Sequence, residues 1–211
     1  PFQLEALFLG QSGLLNTRLY GKYPNSLKRE HAFLAQKHGL APVAGYLWKF
    51  MRMRPSGFPT IRLALLAALY SQAPVFRRII DAGDLRTLTG IFSLEASPYW
   101  TDHFLVDRKS SKKTKRLGMQ SIHTILINAA IPMIYLYGEV MNRPDLCARA
   151  LDFLEEMPPE DNAVVRKWRS IGVKAFNSLE TQGLIQLKSS MCDRKACLEC
   201  NIGHHILQQQ L

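Results

Sequence analysis

The sequence predicts an all-α fold: one multi-helix domain over residues 1–211, with a cysteine-rich tail over 191–205. Three observations carry that expectation. Apolar residues recur at helical spacing along most of the chain, with no convincing strand alternation. Helix start and stop residues punctuate the pattern at short intervals. No internal repeat interrupts it. The 211 residues are 47% hydrophobic, which suits a soluble globular chain and excludes a disordered one. At that length about 70% of the unfolded surface can be buried, so the core needs no staple.

The elements follow in order. Phe2 to Leu9, with Leu4, Ala6 and Leu7, reads as a buried helix closed by Gly10. Gln11 to Tyr23 is a turn-rich link. Asn25 or Ser26 is the expected cap of a helix that stops at Gly39, a residue suited to the left-handed C′ position. Leu27, Phe33 and Leu34 would form its apolar stripe. Lys28 and Arg29 then lie near a positive helix end, which points to an anion there. Thr60 starts a helix from Ile61 to about Gln72, apolar nearly all round and therefore central. Pro74 opens a short helix, and Asp84 caps Leu85 to Phe92. Ile122 to Tyr137 is apolar, and Pro132 should kink or split it. The run reads as a core helix pair, too short and broken for a membrane span, which needs about 20 residues. Pro144 fits a first helical turn, with Leu146, Leu151 and Leu154 inward. Asn162 starts a helix stopped near Gly172, and Phe176 to Leu187 forms the next.

The formal charge is +10, from 27 Lys and Arg against 17 Asp and Glu, which favours an anionic partner. Two stretches concentrate it. From Trp48 to Thr60, large apolar groups alternate with Lys49, Arg52 and Arg54, and Arg62 follows. Two prolines and a glycine rule out one continuous helix. The stretch is either a packed loop whose Arg stems cover the core or a phosphate-facing loop with aromatic platforms. From Arg108 to Arg116, the residues Arg108, Lys109, Lys112, Lys113, Lys115 and Arg116 have no apolar periodicity. They should form an exposed, mobile loop: a solvated charge run or a phosphate-contacting arm.

Asp102 beside His103 offers a carboxylate and an imidazole. Sequence neighbours on a helix do not face each other, and no nucleophile is placed, so no catalytic residue is assigned.

Chemistry concentrates in the tail. Cys192, Cys197 and Cys200 are spaced C-x4-C-x2-C, with His204 and His205 just behind. Thiolates are soft donors for zinc or iron–sulfur clusters. A fourth donor would be His204, giving a site of three cysteines and one histidine, or His205, or distant Cys147, giving an all-cysteine site. The alternative is three reduced cysteines with no metal. Four cysteines, three of them clustered, suit a reducing cytoplasm better than a disulfide framework. No secretory signal is visible, and the opening Pro1-Phe2-Gln3-Leu4-Glu5 reads as the start of a piece of a longer protein.

Three stretches together resemble a bacterial family known as domain of unknown function 2851. They are Phe2 through Leu15, Trp48 through Arg62, and Cys192 through Gly203. The resemblance implies the C-terminal part of a longer protein and carries no activity with it. A second similarity is architectural. Leu117-Gly118, Ile125 through Asn128 and Pro132, followed by a cysteine tail, look like the layout of helix–hairpin–helix DNA glycosylases with an iron–sulfur cluster. The Gly-x-Gly hairpin is absent, Met119-Gln120-Ser121 stands where the catalytic Lys would follow it, and the catalytic Asp has no equivalent. That resemblance therefore implies no glycosylase activity.

Two functional readings follow. The first is a non-catalytic helical module that binds nucleic acid through a basic face, with the cysteines as a structural metal-type cluster. The second is a structural or regulatory domain that docks an acidic protein partner or its own missing N-terminal half. An enzyme would need Asp102, His103 or Glu139 to converge on a cleft. No membrane partner is expected.

Overall fold

In the computed structural model, residues 1–54, 57–72 and 74–208 are described. The chain is all-α apart from one small hairpin. It divides into two compact units, Pro1–Ile122 and His123–Leu211.

In unit 1, α1 (Phe2–Gln11) packs on α2 (Lys22–His38) and on α3 (Pro59–Tyr70). Their shared core holds Leu9, Leu15, Leu27, Ile61 and Trp100. Each large apolar side chain buried there contributes about 1.5–3 kcal/mol by leaving water. Helix α1 ends at Gln11, one residue past Gly10. The space of the missing side chain is used by His31, whose ring lies where a Cβ would be. Gly39 does end α2, at φ 62. The apolar stripe of α2 is narrower than predicted: Leu27 is buried, while Phe33 is 59% exposed and the buried histidine His31 takes an inner position.

The start of α2 also differs. Asn25 and Ser26 lie inside the helix and donate to upstream carbonyls, Asn25 to Leu19 and Gly21, Ser26 to Tyr23. No side chain caps α2; the Asp107 carboxylate instead accepts from the amides of Tyr20 and Gly21, just ahead of the first helical turn. Lys28 Nζ donates to the Thr17 carbonyl at 3.1 Å. Lys28 and Arg29 sit beyond the first turn, where the helix end exerts little force.

Two short helices follow, α4 (Val75–Asp81) and α5 (Leu85–Phe92). Asp84 caps α5 as predicted, accepting from the Thr87 amide. A 3-10 turn, Pro98–Asp102, then leads into the hairpin of β1 (His103–Leu105) and β2 (Arg108–Lys109), paired antiparallel. Asp107 makes the turn at φ 60, a left-handed conformation that aspartate tolerates better than most residues. The strands are too short to show an alternating pattern in the sequence.

Met119–Val140 is a single helical run of 22 residues, α6 (Met119–Ile125), a π turn (Leu126–Ala130) and α7 (Ile131–Val140). Pro132 does not split it. The widened turn just upstream absorbs the missing amide and the bulk of the ring. By length and composition this run, unlike the broken one predicted, could cross a membrane; the core helix of a soluble protein passes the same test.

In unit 2, α7 packs on α8 (Pro144–Glu156). They meet at Gly138, where a Cβ would lie 3.0 Å from the Arg143 carbonyl and the Leu146 side chain. Leu146 and Phe153 face the core, whereas Leu151 is exposed. Helix α9 (Ala163–Ser170) begins at Asn162, whose side chain accepts from the Val164 and Val165 amides. Helix α10 (Ser178–Leu187) begins at Asn177, which accepts from the Glu180 amide. Buried Ser178 donates to the Pro158 carbonyl at 2.7 Å, tying the acidic turn to the start of α10.

Candidate functional site

Two features of the sequence carry chemistry, and each lies within one unit. The cysteine tail belongs to unit 2. Helix α10 runs into a π turn, Lys188–Cys192, which delivers Cys192. The chain then reverses through Lys195 at φ 54, with the Lys195 amide donating to the Cys192 carbonyl at 3.1 Å. Cys197 and Cys200 follow, and α11 (Asn201–Gln208) closes back over them. Gly203 permits that closure, since a Cβ there would collide with the Cys197 carbonyl.

Cys192, Cys197 and Cys200 line one cavity of about 160 Å³. The rest of its wall is apolar, built from Trp168, Leu187, Met191, Ile202 and Ile206 with Gly203. Trp168 is fixed by its indole N–H, which donates to the Leu184 carbonyl at 3.1 Å. None of the three predicted fourth donors, His204, His205 and Cys147, is in its lining. His204 is exposed, with its amide bonded to the Cys200 carbonyl. Cys147 lies on α8, its thiol near the Tyr135 carbonyl and the Glu139 carboxylate. Burial and that carboxylate push the Cys147 thiol above its ordinary value. Among the described residues, no three His, Cys, Asp or Glu side chains form a group able to hold a metal ion.

The basic residues belong to unit 1, where the charge is segregated. Residues 1–122 carry 18 Lys and Arg against 7 Asp and Glu, a net +11. Residues 123–211 carry 9 against 10, a net −1. The excess predicted for the whole chain is therefore confined to one unit. Counting charge in windows along the sequence would have found it.

The Trp48–Thr60 stretch divides by residue type. Trp48 anchors it, its indole N–H donating to the Ser12 carbonyl at 2.8 Å. Phe50 packs edge-on against Phe58 at 5.3 Å. Lys49, Met51, Arg52, Met53 and Arg54 face outward, and so does Tyr46 just upstream, 87% exposed. Arg62 is exposed on α3. Pro55 and Ser56 of the predicted loop lie outside the described residues.

The Arg108–Arg116 stretch is stitched to its neighbours, not the mobile loop predicted. Arg108 and Lys109 form β2, the Lys113 amide donates to the Thr101 carbonyl, and Lys115 accepts from the Ala96 amide through its carbonyl. Arg108, Lys109, Lys112, Lys113 and Arg116 remain exposed. Lys115 does not. It is 5% exposed, donates to the Thr101 carbonyl at 3.0 Å, and sits 3.9 Å from the centre of the Phe104 ring. Burial lowers its pKa. Its cation is used inside the fold.

Asp102 and His103 do meet, with Nδ1 2.7 Å from a carboxylate oxygen. The helical-neighbour argument fails because the pair spans the end of a 3-10 turn and the start of β1. His103 Nδ1 also lies 2.9 Å from the Tyr99 carbonyl, and the imidazole stacks on the Tyr99 ring at 4.1 Å. The pair is a packed link between turn and strand.

A helical chain with one strongly basic unit and a cysteine-lined cavity in the other is the class of protein that fold and sites define. The chain belongs to the family described as protein of unknown function (DUF2851), whose model matches residues 1–163. The cysteine tail lies beyond the matched residues. No curated protein and no solved structure matches, and the glycosylase-like layout finds no support in these comparisons.

Proposed function

We propose that this protein binds nucleic acid through unit 1, as a non-catalytic module. One observation carries the reading. Lys49, Arg52, Arg54, Arg62, Arg108, Lys109, Lys112, Lys113 and Arg116 are all exposed, and among the described residues none is in an ion pair. Unpaired surface cations can neutralise backbone phosphates and release the counterions condensed on them. Tyr46, 87% exposed and three residues upstream of Lys49, offers a ring on which a base can stack.

The test is equilibrium binding of the protein to a labelled oligonucleotide across a salt series. The logarithm of affinity should fall linearly with the logarithm of salt. The slope reaches about −8 for B-DNA if all nine cations meet phosphates. Absence of binding to DNA and RNA at low salt overturns the reading and leaves an acidic protein surface as the ligand for the same charge.

A further inference from the structure

We propose that Cys197 and Cys200 are a dithiol–disulfide exchange site: the pair passes two electrons to a low-molecular-weight disulfide and closes into an intramolecular disulfide. The site lies in unit 2 and is independent of nucleic-acid binding.

The two cysteines begin and end one turn. The Cys200 amide donates to the Cys197 carbonyl at 3.4 Å. A turn closed by that bond keeps its first and fourth Cα atoms within about 7 Å. A disulfide spans Cα atoms about 4.4–6.8 Å apart. Both residues also line the same cavity, so backbone spacing and side-chain placement agree. Helix α11 holds the turn from behind, where the Cys197 carbonyl fills the space that a side chain at Gly203 would take. Holding two reacting groups together in this way removes much of the entropic cost of joining them.

Exposure divides the roles. All four cysteines are free; Cys197 is exposed and Cys200 half-buried. Exchange depends on access to the attacking sulfur, so an incoming disulfide meets Cys197 first. Cys200 then attacks from the cavity side. Cys192 is exposed and lines the cavity as well, but it arrives from a separate turn, closed by the Lys195 amide on the Cys192 carbonyl at 3.1 Å. Cys147, on α8, is outside the lining.

The wall suits the product. Apart from the thiols it is hydrocarbon, indole and the Met191 thioether. A disulfide is uncharged and carries no polar hydrogen, so resting it against that wall orphans no donor. Among the described residues no three His, Cys, Asp or Glu side chains could hold a metal ion, which leaves the thiols open to exchange.

The Cys197 thiolate attacks one sulfur of the small disulfide, whose S–S bond breaks, and one small thiolate leaves. The Cys200 thiolate attacks Cys197 Sγ in the resulting mixed disulfide and expels the second small thiolate. The protein loses two S–H protons, which the two departing thiols take up. The cysteine pair is oxidised by two electrons and the small disulfide reduced by the same two.

The test incubates the whole reduced chain with glutathione at graded ratios of oxidised to reduced form, alkylates the remaining thiols and maps the cysteines by mass. The oxidised chain should lose two hydrogen atoms, carry a Cys197–Cys200 link, and leave Cys192 and Cys147 open to alkylation. Cys147→Ser should oxidise as the parent does. Cys200→Ser should stop at the mixed disulfide, with one glutathione retained on Cys197. Because the map uses the unaltered protein, it decides the matter even if Cys200→Ser misfolds. Absence of an intramolecular disulfide at every ratio overturns the proposal. So does a link through Cys192 or Cys147 in place of the Cys197–Cys200 pair, or linkage between chains alone.

Discussion

The indole N–H of Trp100 donates to Oε1 of Glu5 at 2.7 Å, a bond between two buried side chains that lie 95 positions apart in the sequence. Burial holds the Glu5 carboxyl above its ordinary value of 4.5, outweighing the hydrogen bonds from Trp100, Ser97 and Tyr23 that favour its charged form. The folded protein therefore keeps a proton that the unfolded chain gives up. Its contribution to stability is fully present below about pH 4.5 and is lost as pH rises through the raised value. Glu5→Gln keeps the acceptor and removes the titration. We expect its urea midpoint to match the parent at pH 4 and exceed it at pH 8. Trp100→Phe should cost about 1–3 kcal/mol by leaving a buried acceptor without its donor.

Gly10 and His31 form a second pair in which neither can change alone. Gly10→Ala drives a methyl into the imidazole and breaks its contact with Gln11 Nε2, now 3.1 Å. We expect a loss of about 1–3 kcal/mol in urea unfolding. Gly90, inside α5 with open space around it, is the control. Gly90→Ala should stabilise by about 0.4–1 kcal/mol.

The basic hairpin should separate into two kinds of lysine. Lys112→Gln with Lys113→Gln should leave the melting temperature unchanged and lower the salt slope of nucleic-acid binding by about 2, one unit per contact. Lys115→Met should do the reverse. It lowers the melting temperature, because the Thr101 carbonyl loses one of its two donors and the Phe104 ring its cation, and leaves the slope unchanged. A common effect of all three on the slope would contradict the buried position of Lys115.

Asp107→Ala leaves the Tyr20 and Gly21 amides, just ahead of α2, without their acceptor and should cost about 1–3 kcal/mol. Hydrogen exchange at the Tyr20 and Gly21 amides should accelerate, while exchange in α8 stays unchanged.

The sequence was most legible where a local rule decides the outcome. Asp84 and Asn162 cap helices because an oxygen within three residues of an orphan amide needs no distant partner. Gly39 and Gly172 end helices because only the local backbone matters there. Illegible were outcomes set by distant partners. Gly10 looked like a stop and stands one residue from the helix end, but its role as a seat for His31 was hidden. Asn25 looked like a cap and lies inside α2, while Asp107, 86 residues on, holds the Gly21 amide ahead of it. Lys115 looked like part of an exposed arm, and Phe104 and Thr101 hold it inside. The cysteines were recognisable from spacing alone. Their arrangement around a hydrocarbon-walled cavity depends on Trp168 and α11, which no spacing rule contains.

The clasp that Asp107 places on the start of α2 has a consequence for synthesis. The carboxylate is made 86 residues after the Gly21 amide it receives. At ribosomal speeds of about 5–20 residues per second, the nascent α2 waits about 4–17 s with that end bare. A chaperone acting on this chain has its opening in that interval, and a run of slow codons ahead of Asp107 would prolong it.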